Sequence, residues 1–216
     1  DRAFRVCYSL KSIFIPVSVT EIGYAAFCGC SSLESIVIPD GVTSIGEKAF
    51  CGWPSFKSIV IPDSVTSIGY EAFSNCDALT TVTIGNGVTS IGNHAFDECS
   101  TLESITIPDS VTSIGYRAFY GCSSLTSITI PTGVTAIESD TFEGCTKLKE
   151  VYCKPATPPA VYCYLSSSGS YVKNGDGALP FNAGMKIYVP TESYGQYMQY
   201  TSYYSGLAQT NWYAYR

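Results

Sequence analysis

The chain has 216 residues, of which 45% are hydrophobic and only 14% are charged, and its formal net charge at pH 7 is −6. An acidic chain without clustered Lys and Arg is a poor partner for nucleic acid or for an anionic membrane surface. No run of 18 apolar residues is present, so no segment is predicted to cross a membrane.

A repeat of 23 residues organises the first 150 residues and is clearest at 102–124, with the sequence LESITIPDSVTSIGYRAFYGCSS. A fixed period of this length indicates stacked coils, because one unit alone cannot bury its apolar face. Gly85 stands in one position of the proline slot. The two clearest slots hold Phe4, Phe27, Phe50, Phe73, Phe96, Phe119 and Phe142, and Pro16, Pro39, Pro62, Pro108 and Pro131.

Each unit is predicted to contain two extended segments and one tight turn. Residues 125–130 (LTSITI) have the pattern of a short strand whose alternate side chains point inward, and Pro131 ends that strand. Residues 132–137 (TGVTAI) predict a second extended segment with an inward Val and Ile. Residues 116–119 (YRAF) predict a single helical turn whose Ala and Phe pack inside.

One slot of the repeat is shared by cysteine and tryptophan. Trp53 stands where a seventh cysteine of this slot would be. We interpret the slot as a buried core position with reduced thiols, since a thiol behaves as a small hydrophobic group. Disulfides are the alternative, and Cys153 with Cys163 is the best local candidate. The cysteines of the slot are Cys7, Cys30, Cys76, Cys99, Cys122 and Cys145.

The pattern LxxIxIPxxVTxIGxxAFxxC resembles the leucine-rich repeats of the BspA-like (Treponema-type) family over residues 1–150. The resemblance implies a right-handed α/β solenoid with a parallel sheet on one face and short helical turns on the other. It also implies a non-enzymatic bacterial protein, at the cell surface or secreted, that adheres to a host or microbial protein or glycan. A structural stalk or spacer that presents another domain is the alternative function.

The register divides the chain into two parts. Residues 1–150 are predicted to form about six to seven coils, the first of them truncated because the chain begins in the middle of a repeat. Residues 151–216 are predicted to form an expanded last repeat, with Phe181 in the Phe slot and KIYVP at 186–190 as a strand, and a Tyr-rich cap. A helix from about Ser193 to Gln199 is expected to cover the open end of the core. Its covering side chains would be Tyr194, Tyr197 and Met198.

The sequence carries no pattern that predicts a catalytic residue, a cofactor or a metal site. His94 is the only histidine, and its slot accepts such different residues that we expect it to face solvent. The cysteines of the repeat lie one per coil, whereas a zinc site needs converging pairs. The segment NGDG at 174–177 offers oxygen atoms to calcium but fits a turn equally well. The other residues in the slot of His94 are Ala25, Lys48, Glu71 and Arg117.

The exposed strand positions are the candidate ligand-binding face. This face is rich in hydroxyl groups, and Tyr152 is its one residue of a type that often dominates binding energy. A solvated β-face, in which Thr and Val only favour strand formation, is the alternative interpretation. The candidate ligand-binding residues are Lys57, Thr81, Thr83, Glu103, Thr106, Thr126, Thr129, Lys149 and Tyr152.

Overall fold

The structure is a computed structural model of the chain, and it describes residues 1–138, 140–157, 159–165, 170–173, 185–199 and 212–215. The predicted solenoid is confirmed, because strands of successive coils pair in parallel with a register of 23 residues. Ser58 pairs with Thr81, for example, and Thr81 with Ser104.

The regular elements are short and lie on two sides of each coil. In chain order, the strands are β1 (Glu21–Ile22), β2 (Ser44–Ile45), β3 (Ser58–Ile61), β4 (Ser67–Ile68), β5 (Thr81–Ile84), β6 (Ser90–Ile91), β7 (Ser104–Thr106), β8 (Ser113–Ile114), β9 (Ser127–Ile130), β10 (Ala136–Glu138), β11 (Glu150–Cys153), β12 (Ala160–Leu165), β13 (Ser170–Lys173), β14 (Lys186–Pro190) and β15 (Trp212–Tyr215). A 3-10 turn at Thr191–Ser193 leads into the helix α1 (Tyr194–Gln199).

One side of the solenoid is built from the LxxIxI segments. Their strands form two sheets, in the orders β3-β5-β7 and β9-β11-β14-β15. Along β3 the side chains alternate, so that Ile59 and Ile61 are buried while Ser58 and Val60 are exposed. We call the exposed side of these strands, together with the equivalent residues 35–38, the strand face. The VTxI segments form the other side, with the sheet orders β1-β2-β4-β6-β8 and β10-β12-β13.

A column of stacked phenylalanine rings runs through the core. Neighbouring rings of the Phe slot lie 5.2 to 5.7 Å apart between centroids and are close to parallel. Offset stacking of this kind contributes about 0.5–1.5 kcal/mol per pair beyond the burial of apolar area. Phe50 to Phe142 are fully buried, whereas Phe4 at the first coil is 37% exposed. This column and the strand pairing both hold successive coils to one another.

The cysteine slot is buried, as the repeat predicted. From the second coil onward its cysteines have no exposed surface, and Trp53 is equally buried in its own coil. Each of these thiols also donates a hydrogen bond to the carbonyl of a phenylalanine in the preceding coil, for example from Cys99 to Phe73 at 3.1 Å. Cys153 is a buried free thiol, so no disulfide forms at this residue, and the side chain of Cys163 lies outside the described residues.

The predicted helical turn is a run of tight turns rather than a piece of α-helix. In one coil the amide of Ala95 bonds to the carbonyl of Gly92, three residues back. The next amide, of Phe96, instead donates to Ala118 in the following coil at 2.8 Å. His94 has a φ of 56°, in the left-handed region, and this conformation turns alternate amides along the solenoid axis. The turns thereby extend the hydrogen bonding between coils to a third side.

The expanded last repeat inserts a hairpin into the solenoid. β12 pairs in parallel with β10, in the place of a VTxI segment, and returns as the antiparallel β13. β14 pairs with β11, as the KIYVP motif predicted, and β15 adds a further parallel strand that the sequence did not predict. Phe181 and the NGDG segment at 174–177 lie outside the described residues.

The predicted helix closes onto the core through one tyrosine. Tyr197 on α1 is fully buried, and its hydroxyl donates to the carbonyl of Pro155 at 2.9 Å. Tyr194 is partly buried against the same core, while the side chain of Met198 lies outside the described residues. None of the described helices has the length and hydrophobicity that crossing a membrane requires.

Candidate functional site

His94 occupies a half-buried position, which corrects the prediction that its slot faces solvent. Its side chain is 19% exposed, and Nδ1 bonds to the carboxylate of Asp97. The imidazole packs edge-on between the rings of Tyr70 and Tyr116, at 5.6 and 5.4 Å between centroids. Ala25, in the same slot, is only 1% exposed. Because the backbone is left-handed here, these side chains lie along neighbouring coils instead of projecting into water.

The tight turns form the third side of the solenoid, which we call the turn edge. Contacts between cations and tyrosine rings stabilise this edge. Lys48 lies 5.4 Å above the ring of Tyr70. Arg117 lies 4.4 Å above the ring of Tyr120, and its Nε is 3.3 Å from the carboxylate of Asp140. These contacts give the charged residues of the edge a structural role between coils. Among the described residues, no group of three or more His, Cys, Asp or Glu side chains is arranged to hold a metal ion.

The strand face contains all nine candidate residues, in three columns that cross the coils. Lys57, Glu103, Thr126 and Lys149 directly precede strands and are exposed. Thr81 begins β5 and is also exposed. A third column, in the last outward-facing position of the strands, holds Thr83, Thr106, Thr129 and Tyr152, of which the last two are partly buried. The structure thus brings the candidates onto one surface, and their part in ligand binding stays a prediction.

The third column continues into an aromatic cluster that the sequence analysis missed. The strand register places Tyr188 beside Tyr152, and Tyr213 beside Tyr188. The rings of Tyr152 and Tyr188 are 4.5 Å apart and nearly parallel, with an interplanar angle of 8°. Tyr213 follows at 5.4 Å with its ring tilted by 32°. We call these three residues the tyrosine stack.

One carboxylate fixes two hydroxyl groups of the tyrosine stack. The hydroxyl of Tyr152 donates to Oε2 of Glu150 at 3.1 Å, and that of Tyr188 donates to Oε1 at 3.3 Å. Burial and the hydrogen bond to Glu150 raise the pKa of Tyr152, so its hydroxyl stays protonated and able to donate. The ring of Tyr213 lies 6.0 Å from the ammonium group of Lys186. The stack is therefore a preorganised aromatic surface with a carboxylate inside it and a cation at its border.

The sequence contains a signal that predicts the position of Tyr188 but none for Tyr213. The segment KIYV at 186–189 aligns slot by slot with SITI at 127–130, and this alignment places Tyr188 in the column of Thr129. Tyr188 lies 36 residues after Tyr152, so the inserted hairpin hides the relation from a strict 23-residue count. Tyr213 has no such motif around it, because WYAY does not repeat the pattern of the earlier strands.

Stacked coils with parallel strand pairing on two sides and a buried phenylalanine column define a leucine-rich repeat solenoid. The sequence model of the BspA type leucine rich repeat region matches residues 1–87 and 66–158, in six copies. The chain therefore belongs to the BspA-type leucine-rich repeat family. Members of this family are bacterial surface proteins that generally have binding or structural roles and no enzymatic activity.

Solved structures of bacterial leucine-rich repeat proteins have the same fold. A Bacteroides ovatus protein is 27% identical over 87% of this chain and 51% of its own, with a TM-score of 0.57. The Treponema pallidum leucine rich repeat protein is 34% identical over 54% of this chain and 57% of its own, with a TM-score of 0.53. An Eubacterium ventriosum protein is 29% identical over 60% of this chain and 41% of its own, with a TM-score of 0.51. The chain spans about half the length of these relatives, and no curated protein sequence is significantly similar to it.

Proposed function

We propose that the chain is a non-enzymatic adhesion protein of the bacterial surface or the extracellular space, and that it binds a protein or glycan ligand through the strand face. The observation that carries this proposal is the tyrosine stack at the C-terminal end of that face. Membership of a family of surface proteins with binding roles supports the same conclusion.

Tyrosines suit a binding surface because they combine a large apolar area with a polar tip and have few rotatable bonds. Within the stack, ring packing and the bonds from Tyr152 and Tyr188 to Glu150 hold the side chains in one arrangement. The tyrosine side chains are therefore already ordered before a ligand binds, which lowers the entropic cost of binding. The exposed Lys149 and Lys186 border the stack and can add charge selectivity.

The experiment that tests this function is an unbiased search for ligands, with a glycan array and a library of displayed protein fragments as probes. Tyr213→Ala removes a stack residue that is 39% exposed. Tyr70→Ala is the matched control, because Tyr70 is also 39% exposed but lies on the turn edge. We expect the wild type and Tyr70→Ala to retain the selected ligand, and Tyr213→Ala to weaken it about tenfold, as loss of one hot-spot contact would.

Circular dichroism melting curves of the three proteins would verify that each is folded. A wild type that selects no ligand from either probe would support the alternative of a structural spacer instead. A ligand whose affinity is the same for Tyr213→Ala and the wild type would place the binding site away from the stack.

A further inference from the structure

A groove of about 830 Å³ crosses the strand face in the N-terminal half of the solenoid, over residues 35–38, β3 and the end of β5. Val37 and Val60 line this shallow groove and are 80% and 66% exposed. Both belong to the column that holds Thr83 in the next coil. Threonine has the same shape and also favours strands, so strand formation alone does not require valine at these positions. The column thus changes from hydroxyl to apolar within the groove, between Thr83 and Val60.

Two carboxylates from adjacent coils also line the groove. Asp40 and Asp63 occupy the same slot, directly after the proline that ends each strand segment, and both line the groove. Adjacent coils lie about 4.8 Å apart, so one ammonium or guanidinium group can reach both carboxylates. At the opposite end of the same segments Glu34 and Lys57 carry opposite charges. The electrostatic character of the groove is therefore negative, and it comes from the aspartates.

In another coil, the aspartate of the same slot forms an ion pair with a lysine side chain. Asp109 is the equivalent residue two coils after Asp63, and Nζ of Lys154 lies 3.0 Å from both of its carboxylate oxygens. The hydrogen bond from Lys154 lowers the pKa of Asp109, as expected for a carboxylate paired with an ammonium group. Within the part of the chain that the structure describes, neither Asp40 nor Asp63 forms an ion pair.

We propose that this groove binds an extended segment of a partner protein that carries both small apolar and basic side chains. The apolar side chains would cover Val37 and Val60, and a lysine or arginine would lie between Asp40 and Asp63 as Lys154 lies on Asp109. The proposal rests on the binding role proposed above for the strand face and adds a second site to it, because the groove shares no residue with the tyrosine stack and has a defined partner chemistry.

The test measures fluorescence anisotropy of three labelled synthetic peptides with the whole chain: one alternating Lys and Val, one Glu and Val, and one Lys and Ser. We expect the Lys/Val peptide to bind most tightly and to weaken as salt is added. Asp40→Asn combined with Asp63→Asn should weaken it about tenfold or more. Val37→Thr combined with Val60→Thr, which keeps shape and strand propensity, should remove its advantage over the Lys/Ser peptide.

Two control variants make the outcome specific. Asp77→Asn combined with Glu143→Gln removes two negative charges at exposed turns outside the groove, and it should leave the affinity unchanged. Equal weakening by this pair and by the Asp40 and Asp63 pair would show attraction by net charge alone and would overturn the proposal. Equal binding of the Lys/Val and Glu/Val peptides would also overturn it. Tyr213→Ala should have no effect on this binding, so failure of the groove and failure of the tyrosine stack are separate results.

Discussion

The indole N–H of Trp53 donates a hydrogen bond to the backbone carbonyl of Phe27 in the preceding coil. In the other coils a cysteine thiol donates in the same place, as from Cys122 to Phe96 at 3.2 Å. Two side chains of very different volume share this slot because each brings a donor to a buried carbonyl. The slot is therefore defined by hydrogen bonding as well as by hydrophobicity.

The donor role of Trp53 predicts how substitutions there affect stability. Trp53→Phe keeps an aromatic ring beside Phe56 but removes the N–H, and should lower the unfolding free energy by about 1–3 kcal/mol. Trp53→Ala also opens a cavity and should cost about 3–5 kcal/mol. Urea denaturation followed by circular dichroism measures both. Equal stability of Trp53→Phe and wild type would show that the hydrogen bond contributes nothing.

The buried thiols are predicted to resist alkylation in the native protein. Burial raises the pKa of Cys99 and Cys122 well above the usual value, and that of Cys153 to about 12, so little reactive thiolate forms. Cys7 is only partly buried and should react before Cys99, Cys122 and Cys153. Iodoacetamide labelling at mildly alkaline pH, with peptide mapping by mass spectrometry, measures the order. Labelling in guanidinium chloride is the control, where all should react alike; native labelling of Cys99 as fast as Cys7 would contradict the prediction.

Glu138 is predicted to make the stability depend on pH. Burial, and to a lesser extent nearby Asp140, raise its pKa from 4.5 to about 7, and its Oε2 has no hydrogen-bond partner among the described residues. The folded state therefore binds this proton more tightly than the unfolded chain does. The stabilisation is complete below pH 4.5 and is lost as the pH rises through about 7.

At pH values above 7, Glu138→Gln should consequently have a higher urea midpoint than the wild type. Its midpoint should also change less between pH 4.5 and about 7. Glu143→Gln is the matched control, because Glu143 lies in the same coil and is exposed. A midpoint that responds equally to both substitutions would show that Glu138 is not the responsible group.

Substitution by alanine is predicted to have opposite effects on stability at two glycines. A Cβ at Gly87 would overlap the carbonyl oxygen of Asp63 in the preceding coil, so Gly87→Ala should destabilise by about 1–3 kcal/mol or more. A Cβ at Gly195, on α1, would meet no atom within 4 Å. Gly195→Ala should therefore stabilise by about 0.5–1 kcal/mol, because alanine has the higher helix propensity. Thermal melting distinguishes the two, and a stabilised Gly87→Ala would contradict the close approach of the coils.

The sequence predicted the coils well because the period alone determines which residues pair. Once Phe73, Phe96 and Phe119 are known to be equivalent, their stacking follows from the geometry of a solenoid. The backbone of the turn edge could not be predicted in the same way. Lys48 and Glu71 have positive φ although neither is glycine, and the energy for this comes from hydrogen bonds between coils that a single unit does not contain.

The candidate site was predicted only in part. Tyr152 was found because it lies within the regular repeats, whereas Tyr188 and Tyr213 come into contact with it only after the chain has passed through an insertion. The groove was missed for another reason: the alternation of the strand predicts that Val37 and Val60 are exposed, but not the groove that they line together with Asp40 and Asp63.

The register of 23 residues also limits how the gene can change. Duplication of one whole unit puts a copy of Leu102 where Leu125 stood, and loss of one unit puts Leu125 where Leu102 stood, so the hydrogen bonds between coils keep their register. A change of another length shifts core side chains out of register, unless the extra residues leave the coil as a hairpin, as they do between β11 and β14. Unequal recombination between repeats can therefore change the length of the solenoid by whole coils while the fold is preserved. The number of coils also sets the distance between the groove at Val37 and Val60 and the tyrosine stack.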